Sequence, residues 1–150
     1  MRKLLVLCLV AACTAPVYAQ TTADTTAIVE TALNYIEGWY EGNAARMEQS
    51  LHPDLAKRIV NTREGQSTLQ HMGAEQLIQG TAKGYGKQTP QNEQRKDVTI
   101  LDIYENVASV KVVARDWIDY LHVGKYNGEW KIINVLWEMT PDAKKRLAGR

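Results

Sequence analysis

The stretch from Val98 to Met139, VTILDIYENVASVKVVARDWIDYLHVGKYNGEWKIINVLWEM, decides the fold. It is rich in β-branched and aromatic residues, and two turn signals divide it, Glu105-Asn106 and Asn127-Gly128. The second is the strongest short hairpin signal in a sequence, because a type I′ turn needs positive φ at both central residues and this dipeptide tolerates that. Three strands result: Val98–Tyr104, Val107–Tyr126 and Glu129–Met139. Setting Tyr126 opposite Glu129 and Tyr104 opposite Val107 fixes both registers, and opposed residues share a face.

One face then carries Thr99, Leu101, Ile103, Ala108, Val110, Val112, Ala114, Ile118, Ile133, Val135, Trp137 and Met139, which is a core composition. Asp116, Tyr120 and His122 fall in the same row. A carboxylate aligned with apolar neighbours is a candidate for chemistry, since burial without a purpose is costly. The other face takes Trp117, Leu121, Val123, Trp130, Ile132 and Leu136, an apolar patch that a lone subunit exposes and a homodimer covers. A bulge within the long middle strand swaps the faces beyond it.

Upstream, Ile28, Val29, Ala32, Leu33, Ile36, Trp39 and Tyr40 recur at helical spacing, and Gly42 ends the helix. Asn43 caps a second short helix from Ala44 to about Leu51, which His52-Pro53-Asp54 breaks. Leu55–Thr62 and Gln66–Met72 flank Arg63-Glu64-Gly65 as a hairpin. A third helix covers about Ala74–Lys83, and Gly84, Gly86, Thr89 and Pro90 with the neighbouring Gln and Asn read as a loop of about ten residues.

The 150 residues fit one domain, with 45% hydrophobic and 23% charged residues, a balance that excludes a disordered chain. Eighteen basic against 17 acidic residues advertise no nucleic-acid surface. Residues 1–19 read as a signal peptide: Arg2 and Lys3, the apolar Leu4–Ala12, then Val17-Tyr18-Ala19 before Gln20. Its removal takes the 18 basic residues to 16 against 17 acidic ones, a net charge of −1. Both cysteines, Cys8 and Cys13, lie in that segment. Export to a periplasm or the cell exterior is expected, with a lipoprotein anchored at Cys13 as the alternative. Residues 20–26 form a polar leader, 27–140 the domain and 141–150 a basic tail.

Helices, a hairpin and then a curved antiparallel sheet resemble the α+β nuclear transport factor 2-like (cystatin-like) superfamily, with helices in the concave face of the sheet. Ile36-Glu37-Gly38-Trp39-Tyr40-Glu41-Gly42-Asn43-Ala44 with Leu51-His52-Pro53-Asp54, and Gly128-Glu129-Trp130-Lys131-Ile132-Ile133-Asn134-Val135, resemble its SnoaL-like branch. With Leu69-Gln70-His71-Met72 the likeness extends to small secreted proteins named for lumazine binding. The resemblance implies a cone-shaped pocket between helix and sheet. Members of the superfamily hydrolyse, isomerise, dehydrate, bind or dimerise.

On that frame Asp116 is the candidate general acid or base, Tyr120 or Tyr35 polarises a carbonyl, and His52 or His71 assists. Tyr35, Trp39, Tyr40 and Trp137 form an aromatic lining for a flat ligand, and Arg58, with Arg63, approaches the mouth. Phosphate-loop, zinc-helix and serine-elbow motifs do not occur, and three scattered histidines give no metal spacing. No cofactor is expected. The main expectation is a non-catalytic protein that binds a small, flat, lumazine-like molecule. A cofactor-free isomerase, dehydratase or cyclase, or a dimeric interaction module, is the alternative.

Overall fold

A computed structural model describes residues 22–149. The expected signal peptide and its alternative, lipid anchoring at Cys13, therefore lie outside the described residues. Helix α1 spans Thr22–Glu41, so most of the polar leader is helical. Its buried stripe is Ile28, Ala32, Tyr35, Ile36 and Tyr40, one face of a 3.6-residue period. Gly42, at φ 65°, ends it, and the Asn43 side chain accepts from the Arg46 amide at 3.2 Å to cap α2, Ala44–Ser50.

Strands β1 (Leu51–Arg63) and β2 (Gln66–Met72) form the expected hairpin, with positive φ at Glu64 and Gly65. Helix α3 (Ala74–Ala82) follows, and the expected loop holds two short 3₁₀ turns, Tyr85–Gln88 and Gln91–Glu93. Then come β3 (Asp97–Tyr104), β4 (Val107–Val113), β5 (Trp117–Tyr126) and β6 (Glu129–Met139). The tail is helix α4, Pro141–Ala148, with Thr140 as its cap and proline in its first turn.

The strands make one open six-stranded sheet in the order β2-β1-β6-β5-β4-β3. All pairs are antiparallel except β1 with β6, which is parallel. Register shifts between Leu51 and Ala56, between Ile100 and Asp102, and between His122 and Val123 on the β5 side interrupt the ladders. Bulges bend a strand and increase its local twist, and the sheet curls around α1.

Two expectations about the long strand are corrected. Val107–Tyr126 is a hairpin, not one strand: the chain reverses at Ala114-Arg115-Asp116, Val112 faces Asp119, and the Ala114 amide donates to the Trp117 carbonyl at 2.9 Å. Because Val112 points inward, Asp119 does too, and with it Trp117, Leu121 and Val123. The β5–β6 register from Tyr126–Glu129 to Val123–Ile132 is the expected one, but His122 then pairs with Asn134, leaving Ile133 as an extra residue. Ile132 and Val135 both turn inward as a result.

The apolar patch assigned to a dimer surface is therefore mostly core. Leu121, Val123, Trp130 and Ile132 are buried and Trp117 packs against them; only Leu136 of that set is exposed, at 50%. Together with Ile28, Ala32, Ile36, Met47, Val110, Val112 and Val135 they fill the space between α1 and the sheet.

Candidate functional site

A cavity of about 150 Å³ opens between α1, α3 and the sheet, lined by Tyr35, Ile36, Trp39, Met47, Lys57, Met72, Leu77, Trp117 and Trp137. Alternation along β1 places Leu55, Lys57 and Ile59 on its inner side. Lys57 is 6% exposed and Asp119, reaching in from β5, is fully buried. The two form a close ion pair.

Lys57 Nζ also donates to the Tyr35 hydroxyl at 2.7 Å. The Tyr35 hydroxyl in turn donates to Asp119 Oδ2 at 3.1 Å, and the Trp117 indole N–H donates to the same oxygen at 2.7 Å. One carboxylate thus collects three donors from two strands and one helix, which is how a buried charge is tolerated. The ammonium lies 4.9 Å from the Trp137 ring centroid and 5.4 Å from that of Tyr35, within cation–π range. Burial, and secondarily the Asp119 charge, push the Tyr35 phenol well above its usual pKa. Burial pulls the Lys57 ammonium below its usual pKa, opposed by Asp119.

Outward, a wider opening of about 350 Å³ shares Trp39, Trp117 and Trp137 with the chamber and runs past Gln88, Arg115, Asp116 and Arg146. Trp39 meets Trp117 edge to face at 6.0 Å between centroids. Here the sequence expectation for Asp116 is corrected. It sits at the rim in the β4–β5 turn, paired with Arg146 of α4 and 3.7 Å from Arg115. The hairpin that turned Asp119 inward left Asp116 outside.

The other candidates scatter. Tyr120 stands on the outer face of the sheet, 47% exposed, because the parity of β5 is reversed. His71 is exposed on the same outer side, opposite Arg58. Arg58 points away from the mouth and donates to Asn134 Oδ1 at 2.9 Å. His52, at the start of β1, accepts from the Asp54 amide at 3.1 Å and packs edge-on against Tyr126 at 4.5 Å, and it does not line the chamber. Tyr40 donates to the Arg95 carbonyl at 3.0 Å and accepts from the Arg115 amide at 3.2 Å, holding two loops beside the chamber. Tyr35, Trp39 and Trp137 do line the cavity.

Sequence reasoning missed Lys57, Asp119 and Trp117. Lys57 carried a signal: between Leu55 and Ile59 it is the charged member of an alternating apolar row. Asp119 carried none while the 114–116 turn went unseen.

The family described as "Putative lumazine-binding" matches residues 23–138. No curated protein matches the sequence. Among solved structures, an NTF2-like protein of unknown function from Shewanella baltica OS155 is 16% identical, with a TM-score of 0.62, over 82% of this chain and 99% of that one. A domain of unknown function with a cystatin-like fold from Nostoc punctiforme PCC 73102 is 16% identical at TM-score 0.53, over 87% and 86%. A ketosteroid isomerase-like protein from Erwinia carotovora atroseptica SCRI1043 is 10% identical at TM-score 0.56, over 81% and 100%. At such identities these likenesses speak for the fold, which is that of the NTF2-like and cystatin-like structures; the family match covers most of the chain, which belongs to the family described as "Putative lumazine-binding".

Proposed function

We propose that this protein binds a small, flat organic molecule between Trp39, Trp117 and Trp137. The observation that carries the reading is the chamber itself, walled by aromatic rings and closed at its floor by a hydrogen-bonded Lys57–Asp119–Tyr35 group. Concave apolar sites with a few fixed polar groups are the usual form of small-molecule sites. A volume near 150 Å³ takes roughly one aromatic ring. A two-ring ligand such as lumazine extends into the outer opening.

Binding is favoured over turnover because the acid–base candidates named from the sequence do not converge. Acid–base catalysis needs a group free to meet the reacting atom. Asp119, the buried carboxylate, already accepts from Lys57, Tyr35 and Trp117. The test is tryptophan fluorescence titration with a panel of one- and two-ring heteroaromatics including lumazine, beside native mass spectrometry of protein from its own host. Saturable quenching by at least one compound, weakened in Trp117→Leu, is expected. No saturation with any compound, and no small molecule released from the host protein, overturns the reading.

We further propose export through residues 1–19, and a homodimer on the outer sheet face. That face exposes Tyr104, Val107, Tyr120 and Leu136. Intact mass separates a chain beginning at Gln20 from one lipidated at Cys13. A clean monomer in sedimentation at tens of micromolar counts against the dimer, since even a modest interface near ~1,200 Å² holds there.

A further inference from the structure

Lys57 is the one charged residue lining the chamber among the described residues. An ammonium carries three protons. Two go to Asp119 and to the Tyr35 hydroxyl; the third finds no oxygen or nitrogen acceptor among the described residues, and Nζ lies 4.9 Å from the Trp137 ring centroid. The floor therefore holds one unspent charged donor, nine-tenths buried, at the inner end of an apolar slot.

The charge of that donor is already balanced. Lys57 and Asp119 together are neutral, so an anionic ligand would place a second negative charge in a desolvated chamber beside Asp119. A neutral carbonyl oxygen brings no net charge and accepts the spare proton. A ring without an acceptor leaves that donor with only an aromatic face. We infer that the cavity selects planar, uncharged ligands bearing a carbonyl oxygen on the leading ring edge, held by Lys57. This rests on the chamber being a ligand site.

The test uses three flat two-ring probes of similar size with the mature domain: naphthalene, with no acceptor; coumarin, with a neutral carbonyl; and naphthoate, an anion. Isothermal titration reads the affinities. Coumarin is expected to bind about tenfold or more tighter than naphthalene, the usual worth of a hydrogen bond to a charged donor, and tighter than naphthoate. Lys57→Met should bring the coumarin-to-naphthalene ratio within about twofold. The wild-type comparison stands even where that variant folds poorly. Equal affinity for coumarin and naphthalene, tightest binding of naphthoate, or a preference that survives Lys57→Met overturns this inference alone. Failure of all three probes to bind overturns the ligand-site reading with it.

Discussion

Lys57 on β1 and Asp119 on β5 are paired although their strands never touch. Strand β6 lies between them, so the pair spans two inter-strand steps, roughly 9.5 Å at the usual spacing. A lysine stem and a short acidic side chain together cover that distance, passing over the inner face of β6. The pair ties the β1–β2 hairpin, which joins the sheet through its one parallel ladder, to the antiparallel strands beneath the chamber.

Removing one partner leaves the other buried and uncompensated, which typically costs ~3–5 kcal/mol. Asp119→Leu should lie at the upper end, because Lys57 then keeps only the Tyr35 hydroxyl. Lys57→Met should cost less, since Asp119 retains Tyr35 and Trp117. The double variant should cost clearly less than the sum of the two. Urea unfolding of the four proteins measures this, and strict additivity would show that the charges do not interact.

Stability at high pH should depend on Tyr35. Its pKa is raised in the folded state above the ordinary 10.0, so above pH 10 the unfolded chain has released a proton that the native protein still holds. The stabilisation is complete below pH 10 and falls as pH climbs further, by up to about 1.4 kcal/mol per unit. Lys57 has the opposite sign. Its folded pKa lies below 10.5, so between the two values the unfolded chain binds more protons and stability rises with pH. Tyr35→Phe should flatten the decline above pH 10, and Lys57→Met should remove the rise below 10.5. Unfolding midpoints from pH 8 to 11 separate the two.

The outer turn is held from the C-terminal helix. Arg146 pairs with Asp116, and the Thr140 amide donates to the Asp116 carbonyl at 2.9 Å. As a partly exposed pair it should contribute less than about 1 kcal/mol. Arg146→Ala should therefore barely move the unfolding midpoint, yet speed amide exchange in Pro141–Ala148. Unchanged exchange would mean that the buried Ala143 alone seats the helix.

Gly86 sits so close to α1 that a Cβ there would lie 2.1 Å from the Trp39 carbonyl oxygen and 2.6 Å from its carbonyl carbon. Backbone cannot give way as a flexible side chain can. Gly86→Ala should cost about 1–3 kcal/mol, the usual range for overpacking, and shift the Trp39 emission. A native-like midpoint and spectrum would contradict this contact.

Much of the fold was legible because its hairpins carry their own chemistry: Asn127-Gly128 and Glu64-Gly65 both place positive φ where the chain reverses. Ala114-Arg115-Asp116 reverses it too, without glycine, proline or asparagine, and Asp116 is its single turn-favouring residue, too weak a mark inside a run of strand formers. That silence moved every β5 side chain to the wrong face, exchanging Asp116 for Asp119 and Tyr120 for Trp117. On β6 the error reached Trp130 and Ile132 but not Val135 and Trp137, because the extra residue Ile133 switches the faces back. The aromatic residues of α1 escaped it, since helical spacing needs no partner strand. Thr140-Pro141 was a readable helix start that the basic tail obscured.

Ile133 works as a unit of chain length. A relative lacking it would keep each later β6 residue facing the same neighbour on β5, because regular pairing would simply run through. What would change is the bend of the sheet, and with it the separation of Trp137 from the helix side of the chamber. The slot can therefore be resized through a single codon gained or lost, leaving every side chain that lines the chamber untouched.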